Sequence, residues 1–340
     1  MAGNSLQDSL LRVVEGESLS EQEAFDLMDM VMSGEATEAQ IGALLAALRA
    51  KGETVEEITG FARAMRAKAL RIQVNTQEPL TDTCGTGGDA SDTFNVSTGA
   101  ALIAAACGVK VAKHGNRSVS SKCGSADVFE ALGVNLDPGP EKVARCIEQV
   151  GIGFLFAPTF HPAMRYAVKP RRELGMRTVF NLLGPLTNPA CAQIQLLGVF
   201  LEQWVEPLAR VLVRLGTQRA WVVHGLDGMD EVSLCGPTRV SEARGGKVRN
   251  FLVTPEEFGL QRCQASDLVG GDAAESSRML LEILQGAEGP RADAVALNAA
   301  AALFLAGKAA SPQEGVALAR EAVASGAARK TLDRLVAATQ

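Results

Sequence analysis

Between residues 5 and 70 the apolar positions recur with helical spacing. Leu6, Leu10 and Val13 mark a first short helix, Ala24, Leu27, Met28 and Val31 a second, Ile41, Leu44, Leu45 and Leu48 a third, and Ile58, Phe61, Ala62 and Met65 a fourth. The last three follow i, i+3, i+4, i+7 spacing, which lines one face of a helix with apolar side chains. Each opens at a capping box, Ser20-x-x-Glu23, Thr37-x-x-Gln40 or Thr54-x-x-Glu57, where side chain and backbone satisfy each other's end groups. The pattern predicts an α-helical module over residues 1–72. Nothing in it carries chemistry, and because short amphipathic helices are marginal alone, its free faces suit packing or self-association.

From about residue 78 the periodicity changes. Strands are predicted at 79–83, 109–112, 153–157, 194–200 and 219–224, with helices at 96–107, 125–132, 140–150 and 203–215 between them. Alternation of this kind means an α/β domain with a mostly parallel central sheet flanked by helices, whose ligand site lies at the carboxyl ends of the strands. A helical insertion at 161–184 interrupts the alternation and is expected to pack on the N-terminal helices. The organisation is thus a small helical domain, 1–72 with 161–184, and a larger α/β domain, 73–160 and 185–340. The C-terminal part, 272–338, reads as mostly helix, and Ala294 to Ala306 is too apolar to lie on a surface.

Composition changes this picture little: 47% apolar and 21% charged residues describe an ordinary globular chain. The net charge of −6 argues against a nucleic-acid or membrane-surface binder, which needs a broadly basic face. The charge is unevenly spread, however. Residues 113–122 carry +3 and residues 165–177 carry +4, leaving −13 for the rest, a distribution that suits a small anionic ligand. Seven cysteines with no CxxC pair remove the common zinc patterns, and an odd count without an export signal fits reduced thiols in the cytoplasm.

Two loops concentrate the candidate chemistry. Gly85-Thr-Gly-Gly-Asp89 is neither a dinucleotide fingerprint nor a Walker loop. Its glycines still let backbone N–H groups approach an anion, and Thr93-Phe-Asn-Val-Ser-Thr98 adds hydroxyl donors at a helix start, although a GTGG run alone also makes a plain tight turn. Lys113-His-Gly-Asn-Arg-Ser-Val-Ser-Ser121 holds two cations, an amide and three hydroxyls, more donor capacity than a turn needs. Two such loops suggest a ligand with more than one phosphate group. Asp230-Glu231 follows a predicted strand; adjacent acids there usually just face solvent, but beside bound polyphosphate they are the hard oxygen ligands of magnesium. His224 reads as structural and His161 as a candidate pocket wall, since neither has a carboxylate or Cys at metal-ligand spacing. No Ser/His/Asp or Cys/His order stands out for covalent catalysis.

The blocks Asp82-Thr-Cys-Gly-Thr-Gly-Gly-Asp89, Thr93 to Thr98, Lys113 to Asp127, Arg171-Arg-Glu-Leu-Gly175, Asn181 to Pro189 and Asp227-Gly-Met-Asp-Glu231 resemble, in order, the signature blocks of the anthranilate phosphoribosyltransferase family. The resemblance implies a fold of the nucleoside phosphorylase and phosphoribosyltransferase type. It implies transfer of 5-phosphoribosyl from phosphoribosyl pyrophosphate to the amine of anthranilate, with Mg2+, in tryptophan biosynthesis. Carried over by motif, Gly85, Gly88, Asp89, Thr93, Asn95, Val96, Ser97, Thr98, Lys113, His114, Gly115, Asn116, Arg117, Ser118, Val119, Ser120, Ser121 and Ser125 would hold the donor. Gly85, Asn116 and Arg171 would meet anthranilate, and Ser97, Asp230 and Glu231 would bind the metal. No general base is implied; His114 is a weak candidate for polarity near the amine. The resemblance further implies a homodimer through the helical domain and leaves open any association with an anthranilate synthase amidotransferase. The competing readings are a pyrimidine nucleoside phosphorylase-like enzyme, which would use free phosphate and need no paired acids, and a nucleic-acid-binding relative of the same fold, which would need a basic groove.

Overall fold

A computed structural model describes residues 5–89, 91–118 and 122–340. The N-terminal helices are α1 (Leu6–Val14), α2 (Glu21–Ser33), α3 (Glu38–Lys51) and α4 (Val55–Lys68). All three expected capping boxes form, and Ser5 with Asp8 adds a fourth on α1. Helices α2 and α4 lie so close that a Cβ on Gly60 would meet the Glu21 carbonyl at 2.3 Å and the Phe25 nitrogen at 2.8 Å. Glu57 is fully buried between them, accepting from the Leu19 N–H at 3.0 Å and the Lys51 ammonium at 2.9 Å. A buried carboxylate with two such donors fixes how the chain enters α2.

The α/β region runs β1 (Leu80–Asp82), α5 (Val96–Ala106), β2 (Lys110–Gly115), α6 (Ser125–Ala131), α7 (Pro140–Gln149) and β3 (Ile152–Phe156). The insertion follows as α8 (Ala157–Phe160), α9 (Arg165–Leu174) and α10 (Phe180–Leu183). Then come β4 (Ile194–Gly198), α11 (Val205–Arg214), β5 (Arg219–Gly225), β6 (Thr238–Arg244), β7 (Lys247–Val253), α12 (Ala273–Leu284), α13 (Pro290–Leu305), α14 (Pro312–Ala324) and α15 (Ala327–Thr339). The seven strands form one sheet in the order β3-β2-β1-β4-β5-β6-β7. Strands β3 to β5 in that order are all parallel, so their carboxyl ends share one edge. The chain winds outward from β1 through β2 to β3, then returns to β4 on the other side of β1. That reversal opens a crevice between β1 and β4.

Two parts of the sheet differ from expectation. The antiparallel hairpin β6–β7 was not anticipated from the sequence, although its turn, Gly245-Gly246, has both residues at positive φ (57° and 77°) as a two-residue hairpin demands. Strand β2 continues through Lys113, His114 and Gly115, which pair with Phe154, Leu155 and Phe156, so these three residues are strand rather than the start of a loop.

The apolar core divides around the sheet. One cluster joins α5, α13, α14 and α15 on one face, with α13 almost wholly buried, as its composition requires. A second joins α2, α3 and α4 to Ala167, Phe180 and Leu183 of the insertion, and continues into α11 and the near face of β4 and β5. The insertion therefore shares a core with the N-terminal bundle. No helix among the described residues is long and apolar enough to cross a membrane.

Gly60→Val should cost about 3 kcal/mol, because overpacking a contact made by backbone atoms leaves no flexible neighbour to yield. Urea unfolding measures this; an unchanged midpoint would mean that α2 and α4 have room to separate.

Candidate functional site

The crevice is lined from four strand ends. The loop after β1 holds Gly85 to Asp89; Gly85 forms an isolated parallel bridge with Gly198 at the end of β4, and the Thr86 N–H donates to the Gly198 carbonyl at 2.8 Å. Gly87 and Gly88 have φ of 64° and 77°, the left-handed region that glycine enters without strain. The segment after β5 brings Asp230 into this loop, where its Oδ2 accepts from the Gly87 N–H at 2.8 Å. Close approach depends on absent side chains: a Cβ on Gly85 would lie 2.9 Å from Asp230 Oδ2, and one on Gly198 would strike the Asp230 carbonyl at 1.5 Å. Asp89 closes the loop, accepting from the Asp230 N–H at 3.2 Å and from the Ser91 hydroxyl.

Glu231 is the neighbour of Asp230 and lies near the backbone of Ser97, at the first turn of α5, which favours its charged form. The positive end of that helix favours an anion there. Asp89, Asp230 and Glu231 thus crowd the crevice floor. Burial, then the charge of Asp89, raises Asp230 to about 7, and burial, then the charge of Asp230, raises Glu231 to about 8. Both residues are half-buried and solvent reaches part of each, so mutual repulsion is the sturdier cause; the two titrate as a pair. The segment is held from behind by Asn298 of α13, whose side chain donates to the Val232 carbonyl at 2.9 Å and accepts from the Val232 N–H at 3.0 Å.

Lys113 is buried in β2 beneath this floor. Its ammonium donates to the Thr83 carbonyl at 3.0 Å, to Thr83 Oγ1 at 3.2 Å and to Ser97 Oγ at 3.4 Å. Burial lowers its pKa, opposed by Asp82, Cys84 and Glu231. Asp82 is itself fully buried, accepting from the His114 N–H at 3.2 Å and the Asn188 amide at 2.7 Å, and the Asn188 amide also donates to the Ala112 carbonyl at 2.8 Å. This ties β1, β2 and the loop at 187–190 together. Sequence reading gave Asp82, Asn188, Gly198 and Asn298 no role. The available signals were polar residues inside apolar runs and a glycine ending an apolar strand, which marks close backbone approach.

The remaining predicted residues distribute as follows. Thr93 makes an isolated antiparallel bridge with Val269, Asn95 occupies the N-cap position of α5 with no side-chain cap bond and donates to the Cys123 carbonyl at 3.5 Å, and Val96 and Thr98 are buried in that first turn. Gly115 packs so tightly on Ser125 that a Cβ would come within 2.2 Å of its hydroxyl oxygen. Asn116 and Arg117 are exposed. Arg117 is already engaged, at 3.0 Å from Asp127 and 2.7 Å from Glu130, so the cations of this segment are less free than its composition suggests. Asp127 also accepts from the Ser118 and Gly124 N–H groups at 3.0 and 2.9 Å, ordering the described part of the loop. Val119, Ser120 and Ser121 lie outside the described residues.

His114 and His161 face each other with ring centroids 5.1 Å apart. Burial, then His161, pulls His114 down to about 3, and burial pulls His161 to about 4. A histidine so held is neutral at pH 7 and a poor proton acceptor. His224 is structural, with Nδ1 2.6 Å from the Val199 carbonyl. Arg171 on α9 is half-buried, stacks its guanidinium 5.1 Å from the Phe180 ring, and has no acidic partner among the described residues; burial lowers its pKa. Arg177, which sequence reading counted only within the basic segment 165–177, donates to the Gly88 carbonyl and lies 4.5 Å over the Phe200 ring, linking the insertion to the glycine loop. The crevice therefore offers a glycine loop and a helix N-terminus for phosphate and hard oxygen acids for a cation, while Arg171, on the insertion, has no acidic partner among the described residues.

Comparison with known proteins gives consistent results. Residues 7–69 match the helical bundle domain of the glycosyl transferase family, and residues 77–329 match that family's a/b domain. Anthranilate phosphoribosyltransferase of Thioalkalivibrio sulfidiphilus is 57% identical over 98% of both chains. That of Syntrophotalea carbinolica is 54% identical over 98% of this chain and 99% of its own. Among solved structures, anthranilate phosphoribosyltransferase from Thermus thermophilus superposes with a TM-score of 0.92 at 50% identity, covering 98% of this chain and 99% of that one. The Saccharomyces cerevisiae enzyme in complex with PRPP and Mg gives 0.90 at 27% identity, covering 99% and 98%.

The raised acids make stability pH-dependent. Unfolded carboxyls are ionised by pH 6, whereas folded Asp230 and Glu231 keep protons until about 7 and 8, so the stability they contribute is lost as pH rises through that range. Both buried histidines stay neutral when folded but are partly protonated when unfolded near pH 6, so they oppose the trend at its lower end and drop out above about pH 7.5. In metal-free buffer the unfolding free energy should fall from pH 6 to 9, and Glu231→Gln should flatten the slope. A variant with the wild-type slope would show that Glu231 is not strained.

Proposed function

Because the chain belongs to the anthranilate phosphoribosyltransferase family, we propose that it transfers the 5-phosphoribosyl group of phosphoribosyl pyrophosphate to the amine of anthranilate. The products are N-(5-phosphoribosyl)anthranilate and pyrophosphate, and the step belongs to tryptophan biosynthesis. The observation that carries this reading is the paired acid floor, Asp230 and Glu231, set against the glycine loop at the sheet's switch point. Free phosphate would not call for such a pair; a diphosphate carried with magnesium does.

The residues present fit Mg2+. Among the described residues no three His, Cys, Asp or Glu side chains enclose an ion by themselves. Magnesium commonly takes one or two carboxylates and completes its shell with substrate phosphates and water. Asp230 and Glu231, with the Ser97 hydroxyl, supply that partial shell and carry the unbalanced charge that a dication relieves. When bound, the ion neutralises the diphosphate oxygens as they become a leaving group.

The chain's own groups position and neutralise. Backbone N–H groups of residues 85–89 and the start of α5, with Asn95, Thr98 and the segment from Lys113 to Ser125, hold the donor phosphates; Val119, Ser120 and Ser121 join this set by motif alone. Arg171 anchors the anthranilate carboxylate, with Asn116 and Gly85 beside the ring, so that the amine faces ribose C1. The C1–O bond to pyrophosphate breaks as the ribose becomes cation-like, the amine nitrogen bonds to C1, and the proton is lost afterwards. An aromatic amine needs no prior deprotonation, and His114, held neutral, serves as polar wall rather than base. The enzyme works in the cytoplasm as a homodimer through its helical domain, a reading supported by Leu11 and Val14 standing 56% and 60% exposed on α1.

Loss of anthranilate fluorescence should require both donor and Mg2+ and should release one pyrophosphate per anthranilate consumed. Turnover of a pyrimidine nucleoside with phosphate would instead assign the chain to phosphorolysis. Arg171→Ala should raise the KM for anthranilate by roughly 10-fold or more with a smaller change for the donor, since a charged hydrogen-bonded pair is worth about 1.5–3 kcal/mol. A collapse of donor affinity with anthranilate untouched would contradict the assignment.

A further inference from the structure

Cys235 and Cys263 lie beyond the crevice floor, Cys235 on the segment running from Glu231 to β6 and Cys263 on the stretch between Phe258 and Ala265. Their Sγ atoms are 3.6 Å apart and both residues are half-buried. The two segments are already joined by backbone, the Cys263 N–H donating to the Leu234 carbonyl at 3.2 Å. Cys235 is further fixed by its own N–H, which donates to Ser233 Oγ at 2.9 Å, while Ser233 Oγ donates to Asp227 Oδ2 at 2.5 Å. A disulfide needs its sulfurs about 2.0 Å apart. Closure requires the side chains to bring the sulfurs about 1.6 Å nearer on segments already paired through backbone.

We propose that Cys235 and Cys263 form a dithiol site that a small disulfide oxidant, glutathione disulfide being the type, converts to an intramolecular disulfide. The Cys235 thiolate attacks one sulfur of the oxidant, whose S–S bond breaks and releases one thiol. Cys263 then attacks Cys235 Sγ in the mixed disulfide and expels the second thiol. The pair loses two electrons, the oxidant gains them, and the two thiol protons end on the two released thiols. Burial raises Cys235, and burial followed by Cys235 raises Cys263 to about 12, so Cys235 is the attacking thiol and the rate climbs with pH. The reduced pair lacks the thiolate stabilisation that makes low-pKa dithiols strong oxidants, which favours the closed form once made. The bond would span 28 positions and so restrict the unfolded chain.

The test treats the full-length protein with glutathione disulfide at pH 8.5, alkylates the remaining thiols and maps the peptides by mass. The expected result is a cross-linked peptide joining Cys235 and Cys263 that lacks two hydrogen atoms, with a rise in the thermal midpoint that reducing agent reverses. Cys235→Ser and Cys263→Ser should each abolish the cross-link and the rise, and Cys263→Ser should retain one glutathione on Cys235. The proposal is overturned if wild-type Cys235 and Cys263 are both alkylated while the exposed Cys191 carries glutathione, or if glutathione stays on wild-type Cys235 without exchange.

Discussion

The floor of the crevice carries more negative charge than the protein around it neutralises, and much of the surrounding structure serves to hold it there. Asp89, Asp230 and Glu231 crowd together while Lys113, buried below, also faces Asp82. Carboxylates in that position hold protons to higher pH, and without other contacts they would also spread apart. Fixing comes from the Gly87 N–H on Asp230 and from Asn298 holding Val232 behind both acids. It also comes from space: Gly85 and Gly198 let the Asp230 segment lie directly against the loop. Strain of this kind is what a functional site retains, and a dication with its phosphate ligands, as proposed, would relieve it.

The insertion links the helical bundle to the sheet beside this floor. Arg177 reaches from the insertion to the Gly88 carbonyl, and Arg171 stands on the same insertion, which shares its apolar core with α2, α3 and α4. Arg171, proposed to meet the acceptor, is thus carried by the bundle side, and the loops proposed to hold the donor by the sheet.

What the sequence disclosed follows the range of the interactions concerned. The helical bundle, its capping boxes, the parallel strands and both glycine-rich segments rest on local spacing, and each was legible. The hairpin β6–β7 was missed although Gly245-Gly246 announces its turn, because strands Thr238–Arg244 and Lys247–Val253 alternate with many charged residues and resemble loop. Lys113 and Arg117 read as free loop cations; pairing with β3 buries the first and Asp127 and Glu130 engage the second. Asp230-Glu231 looked like a solvent-facing strand end, since what recesses it is contact with residues more than 130 positions away, such as Gly87. Pairings at that separation leave no periodic trace.

If the strained acids receive the metal, its arrival must expel their protons. Calorimetric titration of Mg2+ with phosphoribosyl pyrophosphate into the protein at pH 7.5, repeated in buffers of different ionisation enthalpy, counts the protons released. The double variant Asp230→Asn with Glu231→Gln corrects for those lost by the donor itself. The account predicts a clear excess of protons released by the wild type over the variant, growing as pH falls from 8.5 to 7; equal release from the two proteins would contradict it.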